Sequence, residues 1–190
     1  MIKYSIDINN CLSVLEQGGL ILYPTDTVWG IGCDPCNENA INRIYRLKQR
    51  NESKSMIILA GEEEDILNYT DYKDIKIFDY IKGIQKPTTV IFPHAKNLAK
   101  NLINSDGSIA IRLVKDDFCK TLIKAFGKPI VSTSSNLSGY PTPGNFYDID
   151  VLIKDGVDYV VTHRQDDDSY SSPSTIIRIG DNDQIEIIRP

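Results

Sequence analysis

A chain of 190 residues with a net charge of −5 holds enough material for one large domain with a closed core. Its acidic balance argues against a protein whose main work is coating nucleic acid, which needs a basic surface, although a local basic cleft stays open. The composition, 41% hydrophobic and 25% charged, is that of a folded globular chain. No charged-then-apolar leader opens the sequence, and no apolar run approaches the roughly 20 residues that span a bilayer. A cytoplasmic protein without membrane association is expected, with Cys11, Cys33, Cys36 and Cys119 as reduced thiols.

The elements alternate along the chain. Asp7 is expected to cap a helix carrying Ile8, Cys11, Leu12 and Leu15, stopped by Gly18-Gly19. Leu20 to Tyr23 reads as a buried strand ended by Pro24. Glu38 to Gln49 reads as a helix with Ile41, Ile44, Tyr45 and Leu47 on one face. Met56 to Leu59 is a second buried strand, and residues 62–82 read as two short helices around Tyr69-Thr70-Asp71. Strands are expected at Thr88–Phe92 and Ser108–Leu113, and a helix at Phe118–Phe126. Ile130-Val131 begins a short strand that runs into a serine-rich loop, and residues 137–145 carry turn chemistry in Gly139, Pro141, Pro143 and Gly144. Tyr159–Thr162 reads as a strand and 163–173 as a polar loop. Two last strands, Thr175–Ile179 and Ile185–Ile188, face each other across Gly180-Asp181-Asn182-Asp183. The pattern is that of one α/β domain over residues 1–190, with a mixed sheet because the closing hairpin must be antiparallel.

Several chemistries do not fit. Gly30-Ile31-Gly32 starts like a dinucleotide fingerprint, but Pro35 stands where the third glycine belongs. Gly127-Lys128 lacks the upstream glycine of a phosphate loop, and the serine-rich stretch lacks a Gly-x-Ser-x-Gly elbow. Cys33-Asp34-Pro35-Cys36 is half a zinc site with no second pair, so packing and turn structure are its expected roles.

Four features carry chemistry. Lys48-Gln49-Arg50 ends a helix, where cations suit the dipole; the same residues offer a point charge and a bidentate fork to a polyphosphate. Ser132-Thr133-Ser134-Ser135-Asn136 is either a polar loop satisfying its own backbone or a set of hydroxyls and one amide at a strand end, where open α/β sheets bind ligands. Arg112 closes an apolar strand, and Tyr23-Pro24-Thr25-Asp26-Thr27 lies at another strand end.

Together these blocks resemble the YrdC/TsaC family of L-threonylcarbamoyladenylate synthases from about residue 12 to residue 189. The resemblance is carried by Tyr-Pro-Thr-Asp-Thr-Val-Trp-Gly at 23–30, Gly-Cys-Asp at 32–34, Lys48-x-Arg50, Ala-Ile-Arg at 110–112, Ser-Thr-Ser-Ser-Asn-Leu-Ser-Gly at 132–139 and Pro-Ser-Thr-Ile at 173–176. It implies a twisted mixed sheet with flanking helices and a concave, positively charged cleft. It also implies a nucleotidyltransferase reaction in which L-threonine, bicarbonate and ATP give threonylcarbamoyl-adenylate and pyrophosphate. Mg²⁺ would arrive with ATP, and no tightly held protein metal site is expected. The product would serve tRNA threonylcarbamoyladenosine synthesis through a partner transferase complex, with double-stranded RNA or tRNA as a further partner.

By position, the resemblance assigns Thr27, Arg112, Ser132 and Ser174 to the threonine end. It assigns Lys48, Arg50, Lys54, Ser108, Ser134, Asn136, Thr142 and Arg189 to the nucleotide and its phosphates, with Lys48 and Arg50 catalytic. Thr25 and Thr89 lie in matching blocks. The chain departs from the family at Asn51, where proline often follows Lys-x-Arg; at Gln85-Lys86-Pro87, where Pro-Gly-Pro is common; and at Leu59, where longer members often carry histidine. Two alternatives stay open: an RNA-binding module without turnover, and carbamoyl-adenylate chemistry on another acceptor.

Overall fold

The computed structural model describes residues 4–51, 56–72, 76–179 and 184–190. Among these, six α-helices and nine strands alternate: α1 Ser5–Glu16, β1 Ile21–Tyr23, β2 Gly30–Gly32, α2 Glu38–Leu47, β3 Ile57–Ala60, α3 Glu63–Leu67, α4 Lys76–Gly83, β4 Thr88–Phe92, β5 Ile109–Leu113, α5 Asp117–Phe126, β6 Ile130–Ser134, α6 Val151–Asp155, β7 Tyr159–Val160, β8 Thr175–Ile179 and β9 Ile185–Arg189. A 3-10 turn covers Lys100–Leu102. The turn at 180–183 lies outside the described residues.

The helices form where cap and apolar stripe coincide. Asn37 caps α2, its side chain accepting a 3.1 Å hydrogen bond from the Ala40 amide, and Ala40, Ile41, Ile44 and Tyr45 face the core. Asp116 caps α5 by accepting from the Cys119 amide at 2.9 Å, and Gly127 at φ 75° closes it. Phe118, Cys119, Leu122 and Ile123 are its buried stripe. Full burial of each large apolar side chain favours folding by about 1.5–3 kcal/mol. The ring of Tyr4, just ahead of α1, meets Phe118 edge-on at 5.3 Å, joining α1 to α5.

Asp7 corrects the sequence reading. It lies inside the first turn of α1 and caps nothing there. Its buried carboxylate accepts from the Tyr159 hydroxyl at 2.6 Å, the Thr162 amide at 2.8 Å and the His163 amide at 3.0 Å. A residue typical of helix starts here ties α1 to the end of β7. Burial alone would raise its pKa; the hydrogen bonds outweigh it and hold the carboxyl below its ordinary value.

The sheet is mixed, in the order β7-β1-β2-β6-β3-β5-β4-β8-β9. The pairs β1–β7, β3–β5 and β4–β8 are parallel, and the others are antiparallel. β6 runs further than expected, through Ser132-Thr133-Ser134. β2 is a strand where no strand was expected. Its glycines are there for close approach: a Cβ at Gly30 would sit 2.8 Å from the Ser132 hydroxyl, and one at Gly32 2.9 Å from the Val131 carbonyl oxygen.

Candidate active site

Strand register gathers the site on the sheet. Gly30 of β2 pairs with Ser134 of β6, and Ser132 of β6 with Ile57 of β3. Arg112 of β5 pairs with Leu59 of β3 and with Thr89 of β4, Thr89 with Ile176 of β8, and Ile176 with Arg189 of β9. Side chains alternate across a strand, so Ser132 and Ser134 share one face. The result is a cavity of about 170 Å³ whose lining includes Thr27, Trp29, Arg50, Met56, Thr89, Arg112, Ser132, Ser134, Thr142, Ser174 and Arg189.

The cationic helix end has a specific geometry. The Arg50 amide donates to the Tyr45 carbonyl at 2.9 Å and the Gln49 amide to the Arg46 carbonyl at 3.0 Å, with Gln49 at φ 50°. This is a Schellman closure with glutamine in the left-handed position. It separates the fates of Lys48 and Arg50: Lys48 is buried, whereas Arg50 lines the cavity. Lys48 Nζ donates to the carbonyl of Ser134 and, at 2.7 Å, to that of Asn136, while the Ser138 amide donates to the Lys48 carbonyl at 2.8 Å. The serine-rich segment is therefore clamped to the end of α2. Burial, then the neighbouring Arg50, push the Lys48 pKa down to about 7.

Asn136 acts in the same clamp. Its side-chain amide donates to the carbonyls of Leu137 at 3.0 Å and Tyr140 at 2.7 Å, and its Oδ1 accepts from the Ser134 hydroxyl at 2.6 Å. It borders a neighbouring cavity of about 430 Å³, beside Tyr140 and Tyr170, and both cavities share Thr142.

At the other end of the cavity, Arg112 Nη2 approaches Asp26 Oδ1 at 3.0 Å, with both side chains nearly buried, and donates to the Thr25 hydroxyl at 3.3 Å. Thr25 and Thr27 hydroxyls are hydrogen-bonded at 3.0 Å. The Arg112 Nε is buried with no acceptor among the described residues. Across the sheet, the Thr89 and Ser174 hydroxyls share a 2.7 Å hydrogen bond, and the Arg189 guanidinium donates twice to the Ser174 carbonyl, at 2.7 and 3.1 Å. Burial and then the charge of Arg112 lower the Arg189 pKa; burial likewise lowers that of Arg50. Two guanidiniums that sense each other in one recess cost free energy that an anionic ligand would offset.

Most of the residues singled out in the sequence thus meet around one recess: Thr27, Arg50, Arg112, Ser132, Ser134, Thr142, Ser174 and Arg189 line it, and Thr89 joins them. Lys48 and Asn136 stand behind it as clamps. Ser108 is not brought to it. It precedes β5 at the end opposite Arg112, donating its hydroxyl to Asp106 at 2.6 Å and accepting from Asn104 at 2.9 Å. Lys54 lies outside the described residues. Met56 was not singled out in the sequence; Asp26 and Trp29 stood within the 23–30 block but were given no role of their own.

Cys33 is buried and Cys36 exposed, and all four cysteines are free thiols. Burial, then the Asp7 charge, push the Cys11 thiol up to about 12, which makes it a poor nucleophile. Among the described residues no group of three or more His, Cys, Asp or Glu is placed to hold a metal ion, and no helix is long and apolar enough to cross a membrane.

Comparison with known proteins agrees with this architecture. The Sua5/YciO/YrdC family model, described as "Telomere recombination", matches residues 13–190. A protein of Pseudoalteromonas translucida named Threonylcarbamoyl-AMP synthase is 40% identical over 134 residues, 69% of this chain and 72% of its own length. One of the same name from Hahella chejuensis is 37% identical over 153 residues, 80% of this chain and 83% of its own. Among solved structures, the H234A/Y235A variant of P. abyssi Sua5 superposes with a TM-score of 0.84 at 22% identity, covering 96% of this chain and 56% of that one. P. abyssi Sua5 complexed with L-threonine superposes with a TM-score of 0.76 at 22% identity, covering 90% and 50%. With the family model spanning nearly the whole chain and enzymes of one name among its near relatives, this protein belongs to the Sua5/YciO/YrdC family.

Proposed function

We propose that the chain is an L-threonylcarbamoyladenylate synthase, a nucleotidyltransferase that joins L-threonine, bicarbonate and ATP and releases pyrophosphate. One observation carries the reading: Arg50, Arg112 and Arg189, from three separate parts of the chain, line a single recess together with the hydroxyls of Thr27, Ser132, Ser134 and Ser174. The names of the relatives, and the threonine held by one solved neighbour, support it.

The chemistry suits such a site. Bicarbonate converts the threonine amine to a carbamate with loss of water. A carbamate oxygen attacks the α-phosphorus of ATP, a new P–O bond forms, and the bond to the departing pyrophosphate breaks in line. Two anions must meet, so cations matter more than a general base. In this reading Arg112 pairs with the threonine carboxylate, and Thr27, Ser132 and Ser174 complete the threonine end. Hydroxyl partners there favour threonine over residues that lack its side-chain oxygen. Arg50 and Arg189 face the phosphates with Ser134 and Thr142; Lys54 belongs to the nucleotide end by family position. Mg²⁺ enters with ATP as part of the substrate. The product would pass to a tRNA-modifying transferase complex.

The test is pyrophosphate release that requires both threonine and bicarbonate. Arg50→Ala should lower kcat/KM for ATP about a hundredfold. Activity that persists without bicarbonate, or is unchanged in Arg50→Ala, would defeat the assignment. Release with carbamoyl phosphate in place of threonine and bicarbonate would point to another acceptor.

A further inference from the structure

We propose that Asp26 is a positioning residue that fixes the Arg112 guanidinium for a ligand carboxylate. The inference rests on the reading of Arg112 as the anchor of threonine's carboxylate and adds the group that aims it.

The geometry is specific. Asp26 Oδ1 stands 3.0 Å from Arg112 Nη2, and the two side chains are only 10% and 5% exposed. Asp26 is itself held, since its Oδ2 accepts the Lys115 amide at 3.3 Å, just beyond the end of β5 that carries Arg112. The Thr25 hydroxyl accepts a hydrogen bond from the same Nη2 at 3.3 Å, and Thr25 is locked by donating to the Val28 carbonyl at 2.8 Å. The ion pair with Asp26 and the hydrogen bond to Thr25 converge on one nitrogen of the fork, and Asp26 Oδ1 itself makes no hydrogen bond among the described residues. Arg112 Nε is left buried with no acceptor among the described residues. A guanidinium is a rigid plane with five N–H groups, so fixing one nitrogen fixes the direction of the rest. An arginine long enough to adopt many rotamers is thereby reduced to one, and a carboxylate arriving at the cavity meets a preset fork instead of ordering it on binding.

The charge of Asp26 also sets how much carboxylate the site accepts. Asp26 offsets Arg112 but reaches it from the wall of the strand-end loop, and its second oxygen is engaged by backbone. It is built as a support. A freely swinging competitor for the guanidinium would have no such anchor.

The experiment compares L-threonine with L-threoninamide, which lacks the carboxylate, in ATP- and bicarbonate-dependent pyrophosphate release by the full chain. Wild type should prefer threonine, and Arg112→Gln should abolish the preference. Asp26→Asn, of nearly the same shape, should reduce the preference by about tenfold or more, through the KM for threonine and with the KM for ATP unchanged. If wild type shows no threonine-dependent release, the site reading falls and the inference with it. If Arg112→Gln loses the preference while Asp26→Asn keeps it, the site reading stands and the role of Asp26 is overturned. Tighter threonine binding by Asp26→Asn also overturns it, because Asp26 would then be a competitor. Should Asp26→Asn fail to fold, Asp26→Glu keeps the charge and moves the carboxylate by one methylene; an unchanged preference there overturns the proposal equally.

Discussion

Lys48 shows how far a residue's role can move once its surroundings are known. As a sequence element it is half of a cationic pair. In the structure its ammonium sits under the site and holds two carbonyls of the serine-rich segment, with its pKa pushed down to about 7 by burial and by Arg50. A neutral amine still has two N–H groups, so the clamp outlasts loss of the proton. Stability should respond to pH in a defined way. Unfolded, the lysine keeps its proton to about 10.4; folded, it releases it near 7. Between those values the unfolded chain binds more protons, so stability contributed at this site rises with pH. Wild type should therefore gain on Lys48→Met in urea midpoint as pH climbs from 7 to about 10, and a difference that stays flat or shrinks would refute the depressed pKa. Lys48→Met should also cost stability outright, about 2–4 kcal/mol for two buried carbonyls left without donors. Arg50→Ala should cost activity without a comparable loss of stability.

At the level of elements, the end of α2 makes a second claim open to measurement. Gln49 occupies the left-handed position at φ 50° that glycine fills at little cost. Gln49→Gly should raise stability by up to about 1 kcal/mol and leave the Lys48 and Arg50 side chains in place; a loss of stability would mean that the glutamine side chain makes a contact that matters more than the strain. The same elements show what the sequence does and does not disclose. α2, α5, β4 and β8 were legible to within two residues because caps, apolar stripes and proline stops coincide there. β2 was not, because it has three residues with glycine at both ends and no apolar run. The glycines that suggested a nucleotide fingerprint are required instead by the Ser132 hydroxyl and the Val131 carbonyl pressed against them. The serines of β6 read as a loop for a related reason. Polar residues in succession signal solvent, but here they belong to an interior strand paired on both sides, and their polar groups face a recess.

At the scale of the molecule, strand order was the unreadable part. Nothing local says that β9, at the chain's end, lies across β8, β4 and β5 from β3, yet that order brings Arg189 to the same cavity as Arg50 and Thr27. Family position supplied those residues as a set; the sheet supplies the reason they meet. It also separates charge, since a chain of net −5 concentrates guanidiniums in one recess. An anionic substrate should therefore stabilise the whole fold when it binds. At a concentration a hundredfold above its Kd, Mg-ATP should contribute about 2.7 kcal/mol, which for a domain of this size raises Tm by roughly 5–10 °C. Arg189→Ala removes a charge from the edge strand together with two hydrogen bonds to the Ser174 carbonyl, so it should lower the ligand-free Tm by only about 2–4 °C. At the same Mg-ATP concentration it should lose most of the shift, and added salt should weaken the wild-type shift less than it would for a fully exposed site. If Arg189→Ala keeps the full shift, the nucleotide does not reach β9, and the phosphates must be held at the α2 end of the cavity alone.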